Sequence, residues 1–109
     1  MGHEYQDACS LEMARQVAAG LPLHPEWITL ARTNLARWRE RNADAPSLLR
    51  CYDEWAMLLD LPIPQICAIL TAQTDEAQRL RQNTPFAGVL SPQEVWEIKR
   101  RLRHDQTAA

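Results

Sequence analysis

The sequence predicts an all-α protein, a compact bundle of five or six short helices. Apolar residues recur at three- and four-residue steps in successive segments, no stretch alternates apolar with polar over a useful length, and prolines and polar clusters cut the chain into pieces of helical size. With 109 residues and 46% hydrophobic content, one domain over residues 1–109 is expected, its ends at 1–6 and 105–109 frayed. Four tryptophans set the chain apart from disordered sequences, which lack aromatic content.

The first helix is expected over 7–19, where Leu11, Ala14, Ala18 and Leu21 form a stripe, Asp7 or Ser10 caps the start, and Gly20 and Pro22 end it. Pro25 suits the first position of the second helix because it has no amide hydrogen to leave unpaired. Trp27, Ile28, Ala31, Leu35 and Trp38 then share a face. Arg32 and Arg39 flank it on one side, Arg37 and Arg41 on the other.

The polar stretch NADAPS at 42–47 is a connection, since each of its Asn, Asp, Pro and Ser residues favours turns or caps. In the third helix Leu48, Tyr52, Trp55 and Leu59 face one way with Cys51 and Leu58 alongside, while Arg50, Asp53, Glu54 and Met57 point outward. Pro62 and Pro64 force a restart. The next piece, 63–70, is apolar nearly all round, as a helix buried in the middle of a bundle would be.

Thr74 followed by Asp75 and Glu76 marks the start of a helix to Gln82, the hydroxyl accepting an amide hydrogen and the acids facing the positive end of the dipole. NTPFAGVL at 83–90 is a loop in which Gly88 takes positive φ and Phe86 plugs the core. The last helix has the strongest local signal. Ser91 and Glu94 form a capping box, Pro92 takes the first helical position, Leu90 and Val95 form a hydrophobic staple, and Val95, Ile98 and Leu102 make the buried stripe.

Composition narrows the functional classes. A net charge of −2 offers no chain-wide attraction to nucleic acid or an anionic membrane, and the densest basic cluster is Lys99, Arg100, Arg101 and Arg103 with His104. Cys9, Cys51 and Cys67 form no C-x-x-C pair and cannot all be bridged, which suits a reducing compartment and buried thiols. MGHEYQDACS lacks the basic start and apolar core of a secretory leader, and no run approaches the ~18 apolar residues of a membrane span. The expected location is cytoplasmic.

Chemistry is sparse. His3, His24 and His104 are scattered, no Cys or His pair stands at zinc spacing, and the three glycines form no phosphate loop. Asp53, Glu54 and Asp60 read as a solvated face of the third helix. The chain is therefore expected to be non-enzymatic, with no metal, cofactor or catalytic residues.

Two binding surfaces remain. Trp96 lies off the buried stripe of the last helix, with Lys99, Arg100 and Arg103 three, four and seven residues on. A rigid aromatic beside cations is common hot-spot chemistry at protein contacts, so this face is the first candidate for a protein partner. The alternative is a helix-turn-helix at 65–82, with Thr71 in the turn and Gln73, Thr74, Gln78 and Arg79 offered to a DNA major groove. Against DNA stand the acids at 75–76 and the net negative charge. A homodimer through the doubled tryptophan face of the second helix is a further expectation.

The segment RLRQNTPFAGVL at 79–90, running into Ser91, Pro92, Gln93 and Glu94, resembles one in short uncharacterised bacterial proteins, some of which accompany nucleotidyltransferase-like genes of the toxin–antitoxin type. The resemblance covers the last third of the chain. It implies a small regulatory or antitoxin-like partner of another protein and identifies no active site.

Overall fold

In the computed structural model, which describes residues 4–108 with side chains through Asp105, every regular element is helical. The order is α1 Glu4–Gly20, α2 Trp27–Arg41, α3 Pro46–Leu58, α4 Ile63–Thr71, α5 Asp75–Arg81 and α6 Pro92–Ala108. α1 packs against α4, α6 and α5, α2 packs against α3, and α4 against α5. The radius of gyration is 14.3 Å, close to the ~13 Å expected of a compact chain this long.

Trp55 of α3 joins the two groups of helices. It is fully buried, its indole Nε1 donates to the Leu80 carbonyl at 3.0 Å, and Phe86 meets it edge-on with ring centres 6.3 Å apart. Leu21, Ala31, Leu35, Leu59, Ile66 and Leu70 pack around this centre. The expected faces of α2 and α3 are therefore the buried ones, and Met57 stands exposed as its position implied.

Local helix signals were obeyed wherever nothing distant competed. Thr74 accepts the Ala77 amide hydrogen at 3.1 Å and caps α5. Ser91 and Glu94 make both bonds of the capping box, at 3.1 and 2.8 Å. Gly88 takes φ +93°, in the left-handed region, and Phe86 is buried.

Several boundaries differ from expectation because tertiary contacts override local signals. α1 starts at Glu4, so Asp7 and Ser10 lie inside it and cap nothing. The reason lies at the other end of the chain: the Tyr5 hydroxyl donates to the Lys99 carbonyl at 2.8 Å and Arg103 lies over the Tyr5 ring. Residues 4–6 and 105–108, expected to fray, are thus helical backbone. Residues 1–3, His3 among them, and Ala109 lie outside the described residues.

α2 begins at Trp27 rather than Pro25. Pro25 and Glu26 belong to a tighter lead-in turn, in which Trp27 and Ile28 donate to the carbonyls of His24 and Pro25. The turn is held by packing: the Trp27 indole stacks on His24, ring centres 4.9 Å apart, and lies so near Gly20 that a Cβ there would stand 2.5 Å from the ring. Thr71 is the last residue of α4 rather than a turn residue, its hydroxyl donating to the Cys67 carbonyl at 2.9 Å. α4 is buried through Ile66 and Leu70 but exposes Pro64, Gln65 and Ala68, so it lies at the surface of the bundle rather than inside it.

Two buried polar side chains tie irregular segments to helices. Asn34 of α2 donates from Nδ2 to the carbonyls of Pro85 and Ala87, at 2.9 and 3.0 Å, and accepts from Arg37. Arg81 of α5 donates from Nη1 to the carbonyls of Leu70 and Ala72, at 3.1 and 2.6 Å, clasping the C-terminal end of α4. Together they set the path of the chain from α5 into α6.

Candidate functional site: the outer face of the last helix

The capping box and Pro92 start α6 where the 83–90 loop delivers it, and Ile98 anchors it, 1% exposed. At ~100° per residue, Lys99, Arg103, Trp96 and Arg100 lie about 100°, 140°, 160° and 200° around the helix from Ile98. They form one arc turned away from the core. Trp96 is 57% exposed, the Arg100 guanidinium sits 5.3 Å from its ring centre, and Lys99, Arg100 and Arg103 are all exposed.

The arc divides into two parts. On the flank nearest α1, Arg103 lies 5.5 Å from the centre of the Tyr5 ring rather than over Trp96, and the backbone of Lys99 receives the Tyr5 hydroxyl. Arg101 approaches Glu12 at 3.5 Å, on the other flank of the contact with α1. Trp96 and Arg100 form the outer part, a flat aromatic surface with a cation stacked on it, and Lys99 and Arg103 extend the positive charge toward α1.

The residues proposed for base reading do not all share a face. Gln73 is exposed ahead of α5, while Thr74 uses its hydroxyl as the cap. Gln73 and Gln78 border a recess on α1 with Asp7 and Leu11. Arg79 turns to α3, giving two bonds to the Glu54 carboxylate at 2.8 and 3.2 Å and a third to Glu76. Arg79 accordingly holds the Glu54 carboxyl below its ordinary pKa through these hydrogen bonds. α5 has seven residues, about two turns, and both of its leading acids are exposed.

Asp53, Asp60 and His24 are engaged in the fold. Asp53 pairs with Arg39 and Asp60 with Arg32, linking α3 and the turn after it to α2. His24 approaches Glu26 at 3.3 Å beside its stacked Trp27. The doubled tryptophan face of α2 has partners within the chain, Trp27 on His24 and Trp38 on Tyr52 at 5.8 Å between ring centres. Cys9, Cys51 and Cys67 are free thiols, and burial pushes Cys51 and Cys67 above the ordinary thiol range.

No group of three or more His, Cys, Asp or Glu stands where it could hold a metal ion among the described residues. None of the described helices is long and apolar enough to cross a membrane. Sequence reasoning passed over Arg81 and Asn34, whose acceptors are backbone carbonyls and so leave no residue-type signal. No family model, curated protein sequence or solved structure matches the chain.

Proposed function

We propose that this chain is a non-enzymatic helical module that binds another protein through the outer face of α6, with Trp96 as the anchor and Arg100, Lys99 and Arg103 around it. The observation that carries this reading is Trp96 itself, more than half exposed on a helix already anchored by Ile98. The fold gains little from it there. The charge of the arc calls for an acidic partner surface with an apolar recess for the indole.

The likeness of 79–94 to short bacterial proteins, some of them encoded beside nucleotidyltransferase-like genes, suits a regulatory or antitoxin-like role for such a module. Free buried thiols suit the reducing cytoplasm. Binding DNA through Gln73, Thr74, Gln78 and Arg79 is the competing use, and it would require Arg79 to leave two carboxylates first.

Capture of partners from the host by the tagged chain tests the reading. Trp96→Ala should weaken binding by at least ~30-fold, the equivalent of the ~2 kcal/mol of a hot-spot residue. Arg100→Glu should weaken it further, and added salt should weaken it for the native chain while helical circular dichroism stays unchanged. Retention of the same partner at equal affinity by the double variant would refute the assignment. Capture of DNA alone, lost on Arg79→Ala, would replace it with the competing use.

A further inference from the structure

Between α1, the end of α4, the 83–90 loop and the start of α6 lies a partly enclosed cavity of about 290 Å³. Met13, Val17, Leu70, Phe86, Leu90 and Val95 give it apolar walls, and Ser10, Thr84 and Arg81 supply the polar groups. Arg81 is the unusual member. Its side chain is more than nine-tenths buried, no carboxylate stands within ion-pair distance of it among the described residues, and its Nε is buried without a hydrogen-bond partner.

The two carbonyls that Arg81 clasps satisfy Nη1 and place the cation at the negative end of α4, which accounts for part of its burial. They leave the cation without a carboxylate at ion-pair distance among the described residues, its other border being the open recess where Asp7 stands. A buried charge without a partner is costly, and a buried N–H without an acceptor adds to that cost. Desolvation accordingly lowers the pKa of Arg81, against the more distant pull of Asp7. An anion in the cavity would supply the counter-ion.

We propose that this cavity binds a small amphipathic carboxylate, an aliphatic acid whose carboxylate pairs with Arg81 and whose tail lies among Met13, Val17, Leu70, Phe86 and Leu90. Its volume holds roughly ten water-sized groups, which suits a chain of about eight carbons. A compact, strongly hydrated phosphate would fill the charged end and leave the apolar walls bare. The site is separate from the Trp96 face and stands or falls without it.

Isothermal titration of the full chain at pH 7 with octanoate, and in parallel with octanol, tests the proposal. Octanoate should bind at one site at least tenfold more tightly than octanol, because only the acid can pair with Arg81. Ala14→Leu, which projects a larger side chain from the cavity wall, should weaken octanoate at least tenfold while leaving the helical circular dichroism intact. No binding by octanoate, equal binding of acid and alcohol, or octanoate binding unchanged in a folded Ala14→Leu would each overturn it. Should Ala14→Leu fail to fold, the methyl resonances of the native chain decide the location. Shifts at Val17, Leu70 and Leu90 on adding octanoate support the site, and shifts confined to other methyls overturn it.

Discussion

Replacing Asn34 by alanine removes the only side-chain amide that joins α2 to the loop leading into α6 among the described residues. Two donated hydrogen bonds disappear, to the Pro85 and Ala87 carbonyls. They are unequal. Pro85 is fully buried, so its carbonyl stays dry and unpaired unless the loop opens, a cost of about 1–3 kcal/mol. Ala87 is exposed and its carbonyl can turn to water, so its loss approaches the ordinary net value of about 1 kcal/mol or less. Arg37, which donates to Asn34 Oδ1, is exposed and rehydrates.

The sum is about 1–4 kcal/mol, a sizeable share of the ~5–15 kcal/mol that holds a small domain together. In urea, followed by far-ultraviolet circular dichroism, Asn34→Ala should move the midpoint down by about 1–2 M with the slope unchanged. Arg37→Ala, which removes only the exposed donor, should cost less than about 0.5 kcal/mol. If Asn34→Ala cost no more than Arg37→Ala, the buried amide would not be what holds the loop.

Three further outcomes follow from particular contacts. Gly20→Ala gains about 1 kcal/mol of helix propensity but drives a methyl to 2.5 Å from the Trp27 ring, so a net loss of about 1–2 kcal/mol is expected. Combining it with Trp27→Ala should relieve the overlap and show coupling above ~1 kcal/mol, whereas a stabilising Gly20→Ala would contradict the packing. Ser91→Ala should cost about 1 kcal/mol and speed amide exchange at the start of α6; a loss below ~0.3 kcal/mol would mean the capping box is idle. Arg79 depresses the Glu54 pKa, so the stabilisation from this pair is present above the unfolded pKa of about 4.3 and fades as pH falls through the folded value. Both partners are 44% exposed, so Glu54→Gln should cost no more than about 1 kcal/mol at pH 7, and thermal melts should show the difference shrinking by pH 3. A difference that stayed constant would remove the pair as its source.

Features confined to one turn of chain could be read before folding. The Ser91–Glu94 box, the Thr74 cap and the positive φ at Gly88 each depend on residues within four positions, and helical angle alone placed Trp96 outside the Ile98 stripe. Features joining distant segments could not. The extra turn of α1 depends on Tyr5 meeting Lys99 and Arg103, more than ninety residues away. The same contact draws Arg103 off the tryptophan, which spacing along α6 had set beside it.

Arg79 illustrates the limit for the DNA reading. As a residue type at that position it suits a base edge, yet Glu54 on another helix engages it, and periodicity carries no record of that neighbour. Arg81 and Asn34 were silent for a related reason. Both bond to main-chain oxygens, which every residue has, so no pairing of side-chain types announces them.

The exposed arc on α6 is tested most directly by placing a photo-crosslinking amino acid at exposed Gln93, one turn before Trp96, in the full chain expressed in its host, with the same probe at exposed Met57 as control. Irradiation should give a discrete protein adduct from position 93 that weakens as salt is raised and disappears when Trp96→Ala is added, and none from position 57. No adduct at position 93, the same adduct with Trp96→Ala present, or the same set of adducts from both positions, would contradict a binding face centred on Trp96.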